Sequence, residues 1–328
     1  MNPRLGRLFV LMLRFRVAAM IWLFFLLAAA FHSGLGGLRS SYLWSVLALG
    51  TSYVAATSAN DVADRDIDRV NHLGDRGRPL VTGEATEADL KSLHALAAGL
   101  AILLALPAGP GAAALIALSV AIGRAYSLAP VRLSYRTYLA PAVLGVAYVL
   151  IPYALGVVAT GTDWRAGDVV LASGLYALFS ARIVLKDFRD REGDARYGRP
   201  TLLLRLGKTV TCRASLAALS AGDALLLLAL SPPLWLALAM QLFVAAIVSR
   251  LLALEHASRA KDEQVAIGLG ARMGNGLLVV VLAWLVVDWQ GADPIRQFVL
   301  TALLSGLFLG SFLVLVRRPE LAVIGYKG

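Results

Sequence analysis

Cysteine is almost missing. Cys212 is the only one in 328 residues, so no disulfide can form within the chain. Histidine is scarce, and His32, His72, His94 and His256 are scattered. No His/Cys group has zinc-ligand spacing. Charge is thin as well, 16% of residues against roughly 25% in a soluble domain. The short alternating strands of a membrane β-barrel are lacking. What fills the chain instead is hydrocarbon, 59% hydrophobic with a mean hydropathy of +0.72, arranged in long blocks. These blocks identify an integral membrane protein.

Ten apolar spans can be read, at about 17–31, 42–59, 89–107, 111–127, 138–160, 168–186, 210–231, 233–254, 272–288 and 296–316. Each approaches the roughly 20 residues that cross a bilayer as a helix. Gly/Pro clusters separate several of them: Pro107–Gly111, Ser231–Pro233 and Gly291–Pro294. The expected fold is all-α, a polytopic membrane helix bundle of nine to ten transmembrane helices in a single domain over 1–328. The first 31 residues resemble a signal peptide, with a basic start, an apolar core and Ala28–Ala30. The nine spans that follow favour an uncleaved first span.

The net charge of +10 would suit nucleic acid if it formed one patch. Its placement points to topology instead. With the N-terminus cytoplasmic, 28 of the 31 Lys and Arg fall in cytoplasmic segments or the helix ends beside them, and only Arg39, Arg165 and Arg296 fall outside. This asymmetry orients the chain under the positive-inside rule. It excludes nucleic acid as the expected partner and puts the chain in a plasma membrane of bacterial type.

The few carboxylates are concentrated. One run reads Asn60-Asp61-x-x-Asp64-x-x-x-Asp68, and the other reads Asp187-x-x-Asp190-x-x-x-Asp194. Carboxylates at i, i+3 and i+7 share one helix face. Gathered beside hydrocarbon they are costly unless cations neutralise them. Both runs end a span on the cytoplasmic side. Hard oxygen ligands at this density suit Mg2+, which takes few carboxylates plus substrate phosphates. The candidate metal ligands are Asn60, Asp61, Asp64, Asp68, Asp187, Asp190 and Asp194. An EF-hand is excluded, because its central Gly and terminal Glu are missing.

The charge balance points to an anionic phosphate ligand. Two Mg2+ ions and a diphosphate still leave excess negative charge that nearby basic groups must offset. Arg76, Arg78, Arg132, Lys186 and Arg191 are the candidates for the diphosphate, and Arg182 lies one turn before Lys186. Arg78 stands out because Pro79 restricts the turn that presents it. Each acidic run is followed by Gly-Arg-Pro, at 77–79 and 198–200. This short parallel suggests an internal repeat, about 42–160 and 168–288. Tyr126 ends the fourth span and is read as either an interface anchor or a substrate contact. The glycines between Gly268 and Gly276 lack the preceding strand of a nucleotide loop, so they read as helix packing, as do Gly306 and Gly310.

Three segments together resemble the UbiA superfamily of intramembrane prenyltransferases. They are Asn60-Asp61-x-x-Asp64-x-x-x-Asp68 with Arg78-Pro79-Leu80-x-x-Gly83, then Tyr126-Ser-x-x-Pro130-x-Arg132-Leu133, then Asp190-x-x-x-Asp194 with Thr201-Leu202 and Gly207. The resemblance lies between 60 and 207, and the rest of the chain is similar only in hydropathy. It implies a bundle around a lipid-accessible central cavity. It also implies two Mg2+ ions holding a prenyl diphosphate, whose isoprenyl group passes to a small aromatic or quinone-precursor acceptor. Asp64, Asp190, Arg78 and Tyr126 are then the expected catalytic residues, and Tyr53 could face the developing cation. Two departures are visible: Ser134 stands where many members carry Lys, and most members have nine spans. Terpene cyclases and enzymes that transfer phosphoribose to a polyprenyl phosphate share the superfamily. A cation-coupled carrier would need carboxylates near the middle of spans, and here they sit at span ends.

Overall fold

The structure, a computed structural model, describes residues 3–33 and 39–322. Sixteen α-helices and no strand occur among them. In chain order they are α1 (Pro3–Met12), α2 (Phe15–Ser33), α3 (Ser40–Ala63), α4 (Arg65–Asn71), α5 (Pro79–Thr82), α6 (Glu87–Ala105), α7 (Pro110–Ser127), α8 (Leu139–Gly145) and α9 (Ile151–Thr160). They continue as α10 (Ala166–Ile183), α11 (Asp187–Arg196), α12 (Leu202–Leu230), α13 (Leu234–His256), α14 (Ala260–Trp289), α15 (Pro294–Arg317) and α16 (Pro319–Ala322).

Nine helical stretches among the described residues are long and apolar enough to cross a membrane. They coincide with nine of the ten spans read from hydropathy. The tenth, α3, is 24 residues long but is diluted by Ser, Thr and Tyr. The polar side chains of α3 turn inward: Ser45, Thr51, Ser52, Thr57 and Ser58 are all buried. The stretch between the apolar blocks 233–254 and 272–288 is not a loop. The segment 255–272 is mostly helix, because α14 starts at Ala260 with Asp262 and Glu263 in its first turn, where acidic groups favour the helix dipole.

The chain forms two compact units. The first takes residues up to His32, then Gly37–Asp163 and Asp190–Leu204, so part of the second acidic run belongs to the same unit as the first run. Its centre is α3, which packs on α6, α7 and α9. Thr86 caps α6 through a reciprocal pair with Asp89, and Arg4 on α1 reaches Asp89 at 3.1 Å. Leu8, Met12, Val54, Leu80, Leu90 and Leu93 share one apolar cluster.

The first span is part of this core, with Phe24, Phe25 and Leu27 fully buried. Gly156 on α9 lets α2 come close. A Cβ there would lie 2.5 Å from the carbonyl oxygen of Phe25 and 2.7 Å from Ala28 Cβ. Both contacts are stiff, so Gly156→Ala must push the helices apart. It is expected to destabilise the protein by about 1–3 kcal/mol, read as a lower thermal unfolding midpoint in detergent. An unchanged midpoint would show that the close approach carries no energy.

Between α8 and α9 lies a π-helical turn, Val146–Leu150. Pro152 follows it, and its missing N–H leaves the helix ladder incomplete there. Tyr148 sits in this turn and meets Tyr53 of α3 edge-on, with ring centroids 5.7 Å apart.

The second unit takes Trp164–Arg189 and the chain from Arg205 onward. In it α14 packs on both α13 and α15. Polar pairs link its helices: Lys208 with Glu263 at 2.8 Å, Gln241 with Asp223 at 2.9 Å, and Arg182 with Asn275 at 2.7 Å. Gly276 is a close contact, since a Cβ would meet Phe243 and Phe308 at under 3 Å. Gly306 and Gly310 are not, and this corrects the packing expected of them. A Cβ at either would meet nothing within 4 Å. The cause is their position on the outer face of α15, among exposed residues such as Leu303, Leu307 and Leu313.

Candidate active site

The first acidic run crosses a helix junction. Helix α3 ends at Ala63, and Asp64 has φ −102° and ψ 12° before α4 begins. The hydrogen-bond ladder still steps by four: Asp64 N donates to Asn60 O, Asp68 N to Asp64 O and His72 N to Asp68 O, each at 2.8 Å. The expected stripe therefore survives the break, and Asn60 Nδ2 donates to Asp64 Oδ2 at 2.8 Å. Asp61, Asp64 and Asp68 are all buried.

Guanidinium groups neutralise them. Arg78 Nη1 lies 2.5 Å from Asp61 Oδ1 and 2.9 Å from Asp68 Oδ2. It is delivered by α5, which carries Pro79 at its start and Gly83 in the left-handed region at its end, the favoured order for a short helix. Leu80, two residues after Arg78, anchors that helix in the apolar cluster. Arg14 holds both oxygens of Asp61, at 2.6 and 2.7 Å. It occupies the break between α1 and α2 with φ +42°, a conformation that costs energy for a side chain of its size. Thr57 Oγ1 donates to Met12 O at 2.8 Å, which ties this break to α3 one turn before Asp61.

The second run starts after a 3₁₀ turn, Val184–Lys186. Within the first unit Asp190 and Asp194 join the cluster. Arg199 Nη1 lies 3.0 Å from Asp64 Oδ2 and 3.6 Å from Asp194 Oδ1, and its Nε donates to Ser134 O. His72 Nε2 lies 3.2 Å from Asp190 Oδ1 and 3.8 Å from Asp68 Oδ1. Five carboxylates, three guanidinium groups and one imidazole thus form one network.

Burial shapes its charges. It pushes the Asp68 carboxyl up to about 7, against the pull of Arg78. Burial alone would lower the Arg78 pKa, but Asp61, then Asp68 and Asp190, hold it above its ordinary value. For Arg199 burial acts in the same direction and is outweighed by Asp64, Tyr126 and Asp194.

The other expected site residues are placed differently. Arg76 and Arg191 are exposed, because Arg76 lies in the open turn before Arg78 and Arg191 is about 100° around α11 from Asp190. Arg132 stacks over the Tyr135 ring at 4.0 Å instead of meeting a carboxylate. Arg199 lies over the same ring at 5.9 Å. Tyr126 is buried in the last turn of α7 and acts electrostatically on Arg199. Tyr53 is within electrostatic reach of Arg14, Arg78 and Asp61. Asp187 and Lys186 belong to the second unit.

Three members were not among the expected site residues. Arg14 reads in sequence as a topology charge. His72 reads as one of four scattered histidines. Arg199 had a signal, since it occupies the same Gly-Arg-Pro position as Arg78 and ends on the carboxylates in the same way.

The donor set fits Mg2+. All five carboxylates offer hard oxygen, and Asp64 Oδ1 is buried with no hydrogen-bond partner among the described residues. No group of three or more His, Cys, Asp or Glu among the described residues forms a ready-made cage. Mg2+ does not need one, because it binds through one or two carboxylates, water and substrate phosphates.

Known proteins resemble this chain at several levels. The UbiA prenyltransferase family matches residues 17–276. The bacteriochlorophyll synthase 33 kDa chain of Rhodobacter capsulatus is 30% identical over 179 residues, 52% of this chain and 56% of that one. The match therefore spans about half the relative's length. A solved digeranylgeranylglyceryl phosphate synthase superposes with a TM-score of 0.64 at 16% identity, over 86% of this chain and 99% of that one. A UbiA homologue from Archaeoglobus fulgidus, bound to DMAPP and Mg2+, gives 0.55 at 16% identity, over 94% and 99%. At these identities the structural likeness is one of fold. The family match takes in the carboxylates of both runs and the arginines that hold them, except Arg14, and the chain belongs to the UbiA prenyltransferase family.

Proposed function

We propose that this protein transfers an isoprenyl group from a prenyl diphosphate to a small aromatic or quinone-precursor acceptor within the membrane, releasing diphosphate. The observation that carries the reading is the buried network, in which Arg78 pairs with Asp61 and Asp68 of the first run and Arg199 joins Asp64 of the first run to Asp194 of the second. Five carboxylates against three guanidinium groups leave two negative charges. A diphosphate adds about three more, and two divalent cations bring the total within about one charge of neutral. Family membership and the Mg2+ and DMAPP bound by the Archaeoglobus homologue support the same reading.

Asn60, Asp64 and Asp68 would hold one cation, and Asp190 and Asp194 another. Bound there, Mg2+ would neutralise the diphosphate and make it a better leaving group. Arg78 and Arg199 can donate charge-assisted hydrogen bonds to phosphate oxygens as negative charge develops on them. Arg132, held on Tyr135, is a further donor. The ring faces of Tyr53, Tyr148 and Tyr126 suit a developing carbocation. Burial keeps bulk water from quenching that cation before the acceptor does. The distribution of Lys and Arg supports a cytoplasmic N-terminus and a cytoplasmic site.

The test uses purified protein and geranylgeranyl diphosphate. Diphosphate release is expected only with Mg2+, and full turnover in EDTA would overturn the reading. Product analysis then separates the chemistries. A transferase yields no prenylated product until a phenolic acceptor is added, whereas a cyclic hydrocarbon or alcohol from geranylgeranyl diphosphate alone would make it a cyclase.

A further inference from the structure

Asn71, the last residue of α4, is bonded through both ends of its side-chain amide to the second acidic run. Its Nδ2 donates to Asp190 O at 2.8 Å, and its Oδ1 accepts from Gly193 N at 2.7 Å. The pairing is reciprocal, so only one orientation of the amide satisfies both backbone groups. The two bonded residues lie at and between the carboxylates Asp190 and Asp194. Asn71 itself follows Asp68 by three positions and immediately precedes His72, which lies 3.2 Å from Asp190. Gly193 completes the joint. A Cβ there would lie 2.6 Å from Asn71 Nδ2 and 2.8 Å from its Cγ and Oδ1, so any larger residue displaces the amide.

We propose that Asn71 is the positioning residue that fixes the separation between the two Asp runs, with Gly193 as its seat. It touches neither reacting atom nor cation. It acts by holding the Asp68 end of the first run and Asp190–Asp194 of the second at one distance, so that cations held by either run can share one diphosphate. A side chain bonded to backbone at both ends suits this task, because it sets the helix spacing without using any carboxylate oxygen. The inference rests on the proposed function. It is also independent of the Gly-Arg-Pro arginines, which neutralise the carboxylates but contact them only through side chains.

The test reads cation binding directly. Protein in detergent is titrated with Mn2+ in the presence of inorganic diphosphate, and free Mn2+ is followed by electron paramagnetic resonance. Asn71→Ala and Gly193→Ala are each expected to weaken Mn2+ binding by about tenfold or more, as loss of outer support does at metal sites. The double variant should bind no more weakly than the weaker single, because both break one joint. In turnover, the Mg2+ concentration for half-maximal rate should rise by a similar factor while the rate at saturating Mg2+ falls less. Melting temperatures are taken on the same samples. If they drop while Mn2+ affinity stays at the wild-type value, Asn71 is structural only and the proposal is overturned. If Asn71→Ala does not fold, Gly193→Ala carries the test, since it moves only the far end of one side chain. Wild-type protein that binds no Mn2+ with diphosphate would overturn the proposed function and this inference together. Wild-type binding matched by both variants would overturn this inference alone.

Discussion

Arg199→Ala is expected to lower the unfolding free energy by about 3–5 kcal/mol, the usual cost of removing one partner from a buried charge network. Arg199 faces two buried carboxylates, Asp64 and Asp194, and also donates to Ser134 O. Its loss takes the guanidinium away from both buried carboxylates and from the Ser134 carbonyl. The measurement is thermal or denaturant unfolding in detergent without added cation. Adding Mg2+ with inorganic diphosphate should restore more stability to the variant than to the wild type, because bound cations take over part of the neutralisation. Arg199→Lys should recover only part of the loss, since a single ammonium cannot reach three acceptors as a planar fork does. A variant that unfolds at the wild-type midpoint would show that Arg199 is not the counter-charge of this network.

Asp64→Ala should separate activity from stability in the opposite sense. Asp64 stands between the runs, bonded to Asn60 from one side and to Arg199 from the other, while its second oxygen is buried without a hydrogen bond. Removing that oxygen removes a desolvation cost, and Arg199 keeps Asp194 as a partner. The fold should therefore hold within a few degrees of the wild-type midpoint. Diphosphate release with saturating Mg2+ should fall by about 10³-fold, equivalent to roughly 4 kcal/mol of lost transition-state stabilisation. Asp190→Ala is expected to act alike. A rate within tenfold of wild type would remove Asp64 from the catalytic set.

Much of this was legible in the residues. All ten apolar blocks lie in helices, nine of them long and apolar enough to cross a membrane, because span length is a property of the bilayer and needs no tertiary knowledge; α12 and α14 start eight and twelve residues before their apolar blocks, at Leu202 and Ala260. The four-residue step from Asn60 to Asp64 to Asp68 likewise survived as a ladder of backbone bonds. The break at Asp64 was not legible, since nothing in the local sequence departs from helix chemistry there. Arg14 was hidden for a different reason. A basic residue ahead of a first span has a sufficient explanation in topology, and only the fold shows it gripping Asp61. His72 was hidden because contacts across 118 positions, here from His72 to Asp190, leave no trace in spacing. Arg199 was within reach, since it is the centre of the second Gly-Arg-Pro as Arg78 is of the first. Arg76 and Arg191 are exposed, and charge near a motif does not say which way the side chain points.

The network also has an order in time. A chain made from its N-terminus produces Arg14 before Asp61, and Arg78 only 17 residues after it. Asp61 can therefore find a counter-charge soon after the ribosome completes its helix. Asp64 cannot, because Arg199 follows it by 135 residues. While those 135 residues are made, Asp64 stays at the end of its helix without that partner. Burial of the network is then a late event, reached only when the second Gly-Arg-Pro turn has left the ribosome, and a chain stalled or truncated before Arg199 is left with an acidic and unclosed site.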